Sequence, residues 1–386
     1  MATDKAAFFD QGNIDQLPWP DTLAARRVKA LFLPVIKNGP RMYINNVDCP
    51  VGALCVGKKV FPVVIESRGS HSHVGSLYGH YIVSACEEAG KLSNPFFRRF
   101  SRFFVEKFGK ILCERLLSRN VQVDQWLMTT NLHDEITSAE ITAIVDFFKI
   151  KYPDRAIIVR TLAERTDDDL MRSLRQHGFS FIASRQVYIW DYTGPLKLSL
   201  KARHALKKDD ALAAQAGYEW RDLDLARPQE VSRILDLYRQ LYLDKYSWHN
   251  PQYTPRFIEE LCAGTPGLLR IKVLSRNERV DGFIGYYVCR GILTAPLVGY
   301  DTQLPQKVGL YRMLMSRIRQ EAEEQNLVLN GSAGAGEFKR SRGGDSRTEF
   351  CAVYIRHLDF FRRFQWLSIK RTMNTIGMQI LQSNVL

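Results

Sequence analysis

The sequence predicts an α/β protein built from two mixed-sheet domains. Three observations carry this. The chain has 386 residues, more than one ordinary core accommodates. Strand-like and helix-like periodicities alternate along both halves. Gly194-Pro195 breaks the pattern between them. The expected division gives residues 1–196 to an N-terminal domain and residues 197–386 to a C-terminal one.

Composition narrows the class. Hydrophobic residues make up 45% and aromatics 11%, which fits packed cores and excludes a disordered chain. No apolar run reaches membrane-spanning length, and MATDKAAFFDQGN lacks the layout of a signal peptide. Seven cysteines occur without a CxxC pair, so reduced thiols and a cytoplasmic location are expected. The formal charge is +13, which favours anionic partners such as nucleotide phosphates, RNA or acidic lipid. After Pro195 there are 29 Lys and Arg against 20 Asp and Glu, so most of the excess lies in the second half.

In the first half, residues up to about Asn38 read as an extended, partly helical lead-in interrupted by Pro18 and Pro20. MYINNVDCPVGALCVGKKVFPVVIES gives strands turning at Gly57-Lys58-Lys59. SRGSHSHVGSLYGH is loop. It holds His71, His73 and His80, but no Cys or acidic residue stands at a ligand spacing, so no metal is expected. Phe96 to Leu117, FFRRFSRFFVEKFGKILCERLL, reads as an amphipathic helix. It either packs on its own domain or faces a membrane surface or RNA. VQVDQWLMTT reads as a strand, and SAEITAIVDFFKIKYP as a helix ended by Pro153, with an imperfect capping box at Ser138. AIIVRT is a buried-type strand, Asp167 to Gln176 a helix stopped at Gly178, and Phe179 to Asp191 one or two strands. No nucleophile–base pair or phosphate loop stands out here.

In the second half, LKLSLKARHALKKDDALAAQAG is a helix ending at Gly217, and YEWRDLDL a short strand. Pro228 to Tyr242 is a helix with Val231, Ile234, Leu235 and Tyr238 on one face. Thr254-Pro255 opens another, and Leu268 to Ser275 is a strand. The stretch Gly282 to Gly344 organises the rest. GFIGYYVCRGILTAPLVGYD is a hairpin turning at Arg290-Gly291. Pro305 and Gly309 punctuate a loop, after which Leu310, Met313, Leu314 and Ile318 recur at helical spacing. Leu327-Val328-Leu329 then leads into the glycine-rich, basic NGSAGAGEFKRSRGG. A strand, a glycine loop and a helix N-terminus together present free N–H groups to an anion. TEFCAVYIRH alternates like a strand, and Leu358 to Gln379 reads as helical.

This order resembles the GNAT superfamily of N-acyltransferases, and more narrowly its double-domain members, the FemABX and the BioF2-like and CelD-like groups. Gln306-Lys307-Val308-Gly309-Leu310-Tyr311 is similar to the Gln/Arg-x-x-Gly-x-Gly/Ala loop that holds a donor pyrophosphate, with Tyr311 replacing the small last residue. Phe338-Lys339 looks like the Phe-Lys step of the Fem-type transferases. The resemblance covers roughly residues 197 to 360 and implies two GNAT-like mixed-sheet domains, the first degenerate. It shows no long coiled-coil arm of the kind some tRNA-using members carry.

Acyl transfer to an amine needs a neutral amine, an activated carbonyl held beside it, and donors aimed at the developing oxyanion. The resemblance implies that backbone near Val298 and Gly299 meets the donor, while Gln306, Lys307, Gly309, Tyr311, Arg312 and Arg340 hold its phosphates. Lys339 is the candidate to neutralise an oxyanion or phosphate, and the chemistry makes Glu337 the candidate to relay a proton from the amine and Tyr354 the candidate to protonate the leaving group. Asp301 is a second candidate base, and Tyr242, Tyr246, Trp248 and Tyr253 are an aromatic set suited to an acceptor or to packing. Cys289 and Cys351 lack a visible His partner, so a cysteine nucleophile is not expected. Three readings stay open: a transferase using acyl-CoA, one using aminoacyl-tRNA, or a non-catalytic basic adaptor for RNA or membrane. The acceptor is a small-molecule or peptide amine on the first two.

Overall fold

The computed structural model describes residues 6–66, 72–83, 114–263 and 269–377. His71 lies outside the described residues. So does the basic–aromatic run from Phe96, except for its last turn, α2 (Glu114–Leu117). The first half contains β1 (Ala6–Phe9), α1 (Leu23–Asn38), β2 (Val51–Val56), β3 (Lys59–Ile65), α2, β4 (Asn120–Val123), α3 (Ser138–Lys151), β5 (Ala156–Ala163), α4 (Asp168–Gln176) and β6 (Ser180–Asp191). The second contains α5 (Leu200–Gln215), β7 (Glu219–Asp222), α6 (Pro228–Tyr238), α7 (Pro255–Ala263), β8 (Arg270–Arg276), β9 (Arg279–Cys289) and β10 (Ile292–Tyr300). After these come α8 (Leu310–Glu324), β11 (Val328–Asn330), α9 (Gly336–Arg340), β12 (Asp345–Tyr354) and α10 (Phe360–Thr372). The fold is mixed α/β around one large mixed sheet.

That sheet has twelve strands in the order β1-β2-β3-β4-β5-β12-β6-β11-β10-β9-β8-β7. Read outward from the centre, the two sides mirror each other, with the closing strands exchanged. β12, from the end of the chain, lies beside β5, and β6, from the first half, lies beside β11. Each half has one parallel pair, β4 with β5 and β10 with β11. The Gly194-Pro195 break therefore separates the halves along the sequence, while hydrogen bonding runs across it. Helices cover both faces, as parallel pairing demands. α1, α6 and α7 pack on one face around Phe32, Ile234 and Phe283, and α8 packs on the other around Leu293, Leu314 and Ile318. No helix among the described residues is long and apolar enough to cross a membrane.

Local chemistry explains most boundaries. α3 begins at Ser138, where the sequence reading placed it, but its cap lies one residue earlier. Thr137, not Ser138, is the cap, and Thr137 with Glu140 completes the capping box that a cap at Ser138 cannot. β4 is shorter than VQVDQWLMTT implied. Asp124 and Leu127 adopt left-handed backbone, and the Asp124 carboxylate accepts from Trp126 Nε1 at 2.9 Å, so the chain turns out of the sheet after Val123. α6 continues as a wider turn, Arg239–Asp244, so Tyr242 and Tyr246 sit beyond its regular part. The glycine-rich segment contains a five-residue helix, α9, that the sequence did not announce.

Candidate active site

The site is built where β10 parts from β11. The two strands pair only over Ile292–Thr294 and Val328–Asn330, after which β10 carries an irregularity between Thr294 and Leu297. Thr294 Oγ1 donates to the Asn330 carbonyl at 3.0 Å and closes the last shared rung. Beyond it, β10 runs on to Tyr300 with β9 on one side and no strand partner on the other among the described residues. The notch so formed is bounded by α8, whose N-cap is Gly309, and by the loop 331–335 with α9.

Gly309 has φ +80°, which favours glycine, and it packs against the end of the Leu212 side chain of α5, 2.6 Å from where a Cβ would stand. No side chain caps α8, which leaves its first-turn amides facing the notch end of the helix. Gln306 and Lys307 are exposed on the preceding turn. Val298 is buried against the α8 side of the sheet. Gly299 also answers to packing. A Cβ there would strike Phe283 and come within 2.9 Å of the Leu237 and Tyr238 backbone, so the close approach at Gly299 is taken by α6.

Aromatic rings stand in the notch. Tyr300, Tyr311 and Phe338 follow one another at centroid distances of 6.3 and 5.0 Å, and the Arg342 guanidinium lies 3.7 Å above the Phe338 ring. Burial holds the Tyr311 hydroxyl well above its usual range, with the Tyr242, Tyr246 and Tyr300 phenols adding to the effect. Tyr242 stacks on Tyr238 at 4.8 Å. Tyr253 packs instead into the core beside Phe257, and Trp248 is exposed.

Charged groups are largely committed to one another. Arg312 donates from Nε to Asp209 Oδ1 at 2.7 Å, and Arg342 from Nε to Asp209 Oδ2 at 2.7 Å. Asp209, on α5, is buried and bridges both. Asp301 accepts from Arg233 at 2.8 Å and Arg279 at 3.0 Å, so its lone pairs are taken and it is not a free base. Arg340 donates to the Tyr188 hydroxyl at 3.0 Å.

Lys339 is 3% exposed, and its Nζ donates to the carbonyls of Gly331, Ser332 and Ala333 at 2.7, 3.3 and 2.8 Å. All three ammonium donors are thereby used to gather the loop. The expectation that Lys339 meets an oxyanion or phosphate does not match this geometry. The glycines around it answer to packing as well: Gly336 lies under Tyr188, and Gly344 under Trp190, whose Cζ2 would be 2.7 Å from a Cβ. Burial, then the charge of Arg185, push the Lys339 ammonium down to about 7. The unfolded lysine keeps its proton to about 10.4, so between these values the unfolded chain binds more protons than the folded one. Stability attributable to this group therefore rises with pH above 7 and is flat below it. The stability of wild type relative to Lys339→Met, followed by urea denaturation, is expected to improve from pH 7 to pH 9. A flat difference would show that the amine keeps its proton throughout.

Glu337 is exposed at the start of α9, on the outside of this segment. Tyr354 is not part of the site. It pairs with Ile157 at the far end of β12, nine residues from Asp345, or about 30 Å at strand spacing. Its ring packs on Phe179 and His357, in the first half. Asp209, which sequence reasoning passed over, couples three segments through Arg312 and Arg342. Thr130 links the halves by its contact with Ser332 at 3.1 Å. Arg185 holds Glu349 at 2.7 Å and the Thr129 carbonyl at 2.9 Å beside Lys339. The described residues contain no group of His, Cys, Asp and Glu able to hold a metal. A cleft of about 440 Å³ lined by Arg270, Lys272, Tyr286, Arg317 and Glu321 lies on the β7–β8 side, away from the notch.

Residues 201–340 match the acetyltransferase (GNAT) domain family. The chain carries a GNAT domain. The match supports an enzyme of the transferase class, and the matched segment spans α5 to α9, the elements that build the notch. Among solved structures the chain is similar to L-PGS from Bacillus licheniformis at 16% identity, covering 65% of this chain and 82% of that one with a TM-score of 0.45. It is similar to FemX at 9% identity, covering 62% and 82% with a TM-score of 0.45. A GCN5-related N-acetyltransferase from Kribbella flavida shares 11% identity over 61% and 80% with a TM-score of 0.33. No curated protein matches.

Proposed function

We propose that this GNAT enzyme is an N-acyltransferase that moves an acyl group from an acyl thioester, acyl-CoA in the simplest case, to an amine by direct attack. One observation carries the reading: β10 leaves β11 after Thr294 beside the uncapped start of α8. Unpartnered β10 backbone can hold an extended donor, and first-turn amides with the helix dipole can hold its phosphates. Lys307 is the exposed cation nearest that helix start in the sequence, since Arg312 is already paired. Lys339 acts indirectly, by fixing the loop that forms the other wall. The amine loses its proton to solvent or to Glu337, and the thiolate leaves. Reduced cysteines at 49, 55, 289 and 351 suit a cytoplasmic setting.

Aminoacyl-tRNA is the second donor to weigh, because α5 carries Lys201, Arg203, Lys207 and Lys208 on an exposed face of the same helix that packs on Gly309. The test is acyl-CoA-dependent thiol release with a panel of amines, alongside thermal shift with CoA and with charged tRNA. On the first reading, CoA raises the melting temperature, and Lys307→Glu raises KM for acyl-CoA about tenfold at low salt with kcat little changed. Stabilisation and labelled aminoacyl transfer from charged tRNA, with no response to CoA, would reject it for the second.

A further inference from the structure

We infer that the outward face of α10 is a docking surface for an anionic phospholipid bilayer. The helix is fixed from within. Trp366 is 2% exposed in a core shared with Leu116, Leu117, Ile355 and Leu358. Just beyond α10, Asn374 clasps β6, donating to the Phe181 carbonyl at 3.0 Å and accepting from the Ala183 amide at 2.8 Å. With Trp366 inward, the opposite side of a 3.6-residue helix must face out. That side is apolar where a soluble helix is polar: Phe360 is 82% exposed, Phe361 66%, Phe364 60% and Leu367 47%. Phe360, Phe364 and Leu367 follow at i, i+4 and i+7, which makes one continuous stripe.

Charge identifies the partner. From Phe360 to the end of the chain there is no acidic residue. Arg362 turns inward to Asp359 and Asp154. Arg363, Lys370 and Arg371 flank or continue the stripe and have no acidic partner among the described residues. Rings that bury in the acyl boundary, beside cations at phosphate level, are the pattern of an interfacial helix. A protein partner that matched the stripe would leave three arginine and lysine charges to be neutralised separately, whereas an anionic bilayer meets both features at once. The pentad Phe360-Phe361-Arg362-Arg363-Phe364 also recurs in the sequence as Phe96-Phe97-Arg98-Arg99-Phe100. α2, at the end of that earlier run, packs against α10.

The experiment is co-flotation of the full chain with phosphatidylcholine vesicles and with mixed phosphatidylcholine–phosphatidylglycerol vesicles. Wild type is expected to float with the anionic vesicles and not with the neutral ones. Phe360→Ser with Phe364→Ser should lower binding at least about tenfold, and Arg363→Gln with Arg371→Gln roughly fivefold per charge. Both variants replace exposed side chains, so their circular dichroism and melting should match wild type. Absence of wild-type binding, or binding that neither variant weakens, overturns the proposal. So does a dimer in size-exclusion chromatography that the serine variant splits while vesicles are ignored, since the stripe would then be a face for a second copy.

Discussion

Glu349→Ala is expected to destabilise the protein by about 3–5 kcal/mol, the usual consequence of breaking a buried ion pair from one side. Glu349 is fully buried on β12 and receives both Nε and NH2 of Arg185 from β6, at 2.9 and 2.7 Å. Ser184 adds a hydroxyl donor at 3.3 Å. The pair joins the two exchanged strands at the centre of the sheet, where neither half can compensate alone. Truncating the carboxylate leaves a guanidinium whose remaining partners are the Thr129 carbonyl and the Thr130 hydroxyl. Those dipoles do not replace a full opposite charge. In urea denaturation the midpoint should fall with little change in slope. The double variant Arg185→Met with Glu349→Leu should recover much of the loss, because a nonpolar pair of similar volume leaves no buried charge. A single variant within about 1 kcal/mol of wild type would mean that water already reaches the pair.

Legibility in the sequence followed the range of the interactions. The β9–β10 hairpin was readable because Arg290 and Gly291 both adopt left-handed backbone between two β-rich runs, which is what a two-residue turn requires. α8 was readable from Leu310, Met313, Leu314 and Ile318, and all four are buried. The exchange of β6 and β12 was not, since pairing between residues so far apart leaves no local pattern. Tyr354 was misplaced for the same reason. Its neighbourhood in sequence says strand but not which end of the sheet that strand reaches. The glycine-rich NGSAGAGEFKRSRGG suggested an anion site, and three of its glycines, Gly331, Gly336 and Gly344, turn out to lie against Tyr188 or Trp190 of β6. Asp209 lies in Lys207-Lys208-Asp209-Asp210, a charge run that reads as a solvated face. Only the packing of α5 on α8 shows which of the two acids is buried.

Asp209 carries the second large effect. Asp209→Asn keeps the volume and one acceptor but removes the charge shared by Arg312 and Arg342, at 2.6 and 2.7 Å. The expected loss is about 3 kcal/mol, below the full value for a buried pair because Arg312 is partly exposed and water can take up some of its charge. The variant tests more than stability. Arg312 belongs to the first turn of α8, and Arg342 follows α9, so one carboxylate sets the spacing between the two walls of the notch. If Asp209 serves the enzyme by holding that spacing, Asp209→Asn should raise KM for the donor several-fold and leave kcat nearly unchanged. If the two arginines are instead phosphate ligands kept in reserve, removing their shared partner would free positive charge and lower KM. A double-mutant cycle with Arg342→Ala separates the contacts. Coupling between about 0.5 and 3 kcal/mol is expected for residues that share one carboxylate. Coupling near zero would assign Arg342 to its stacking on Phe338 and leave Arg312 as the partner through which Asp209 holds α8, beside the contacts of Asp210 with Ser316 and Arg319.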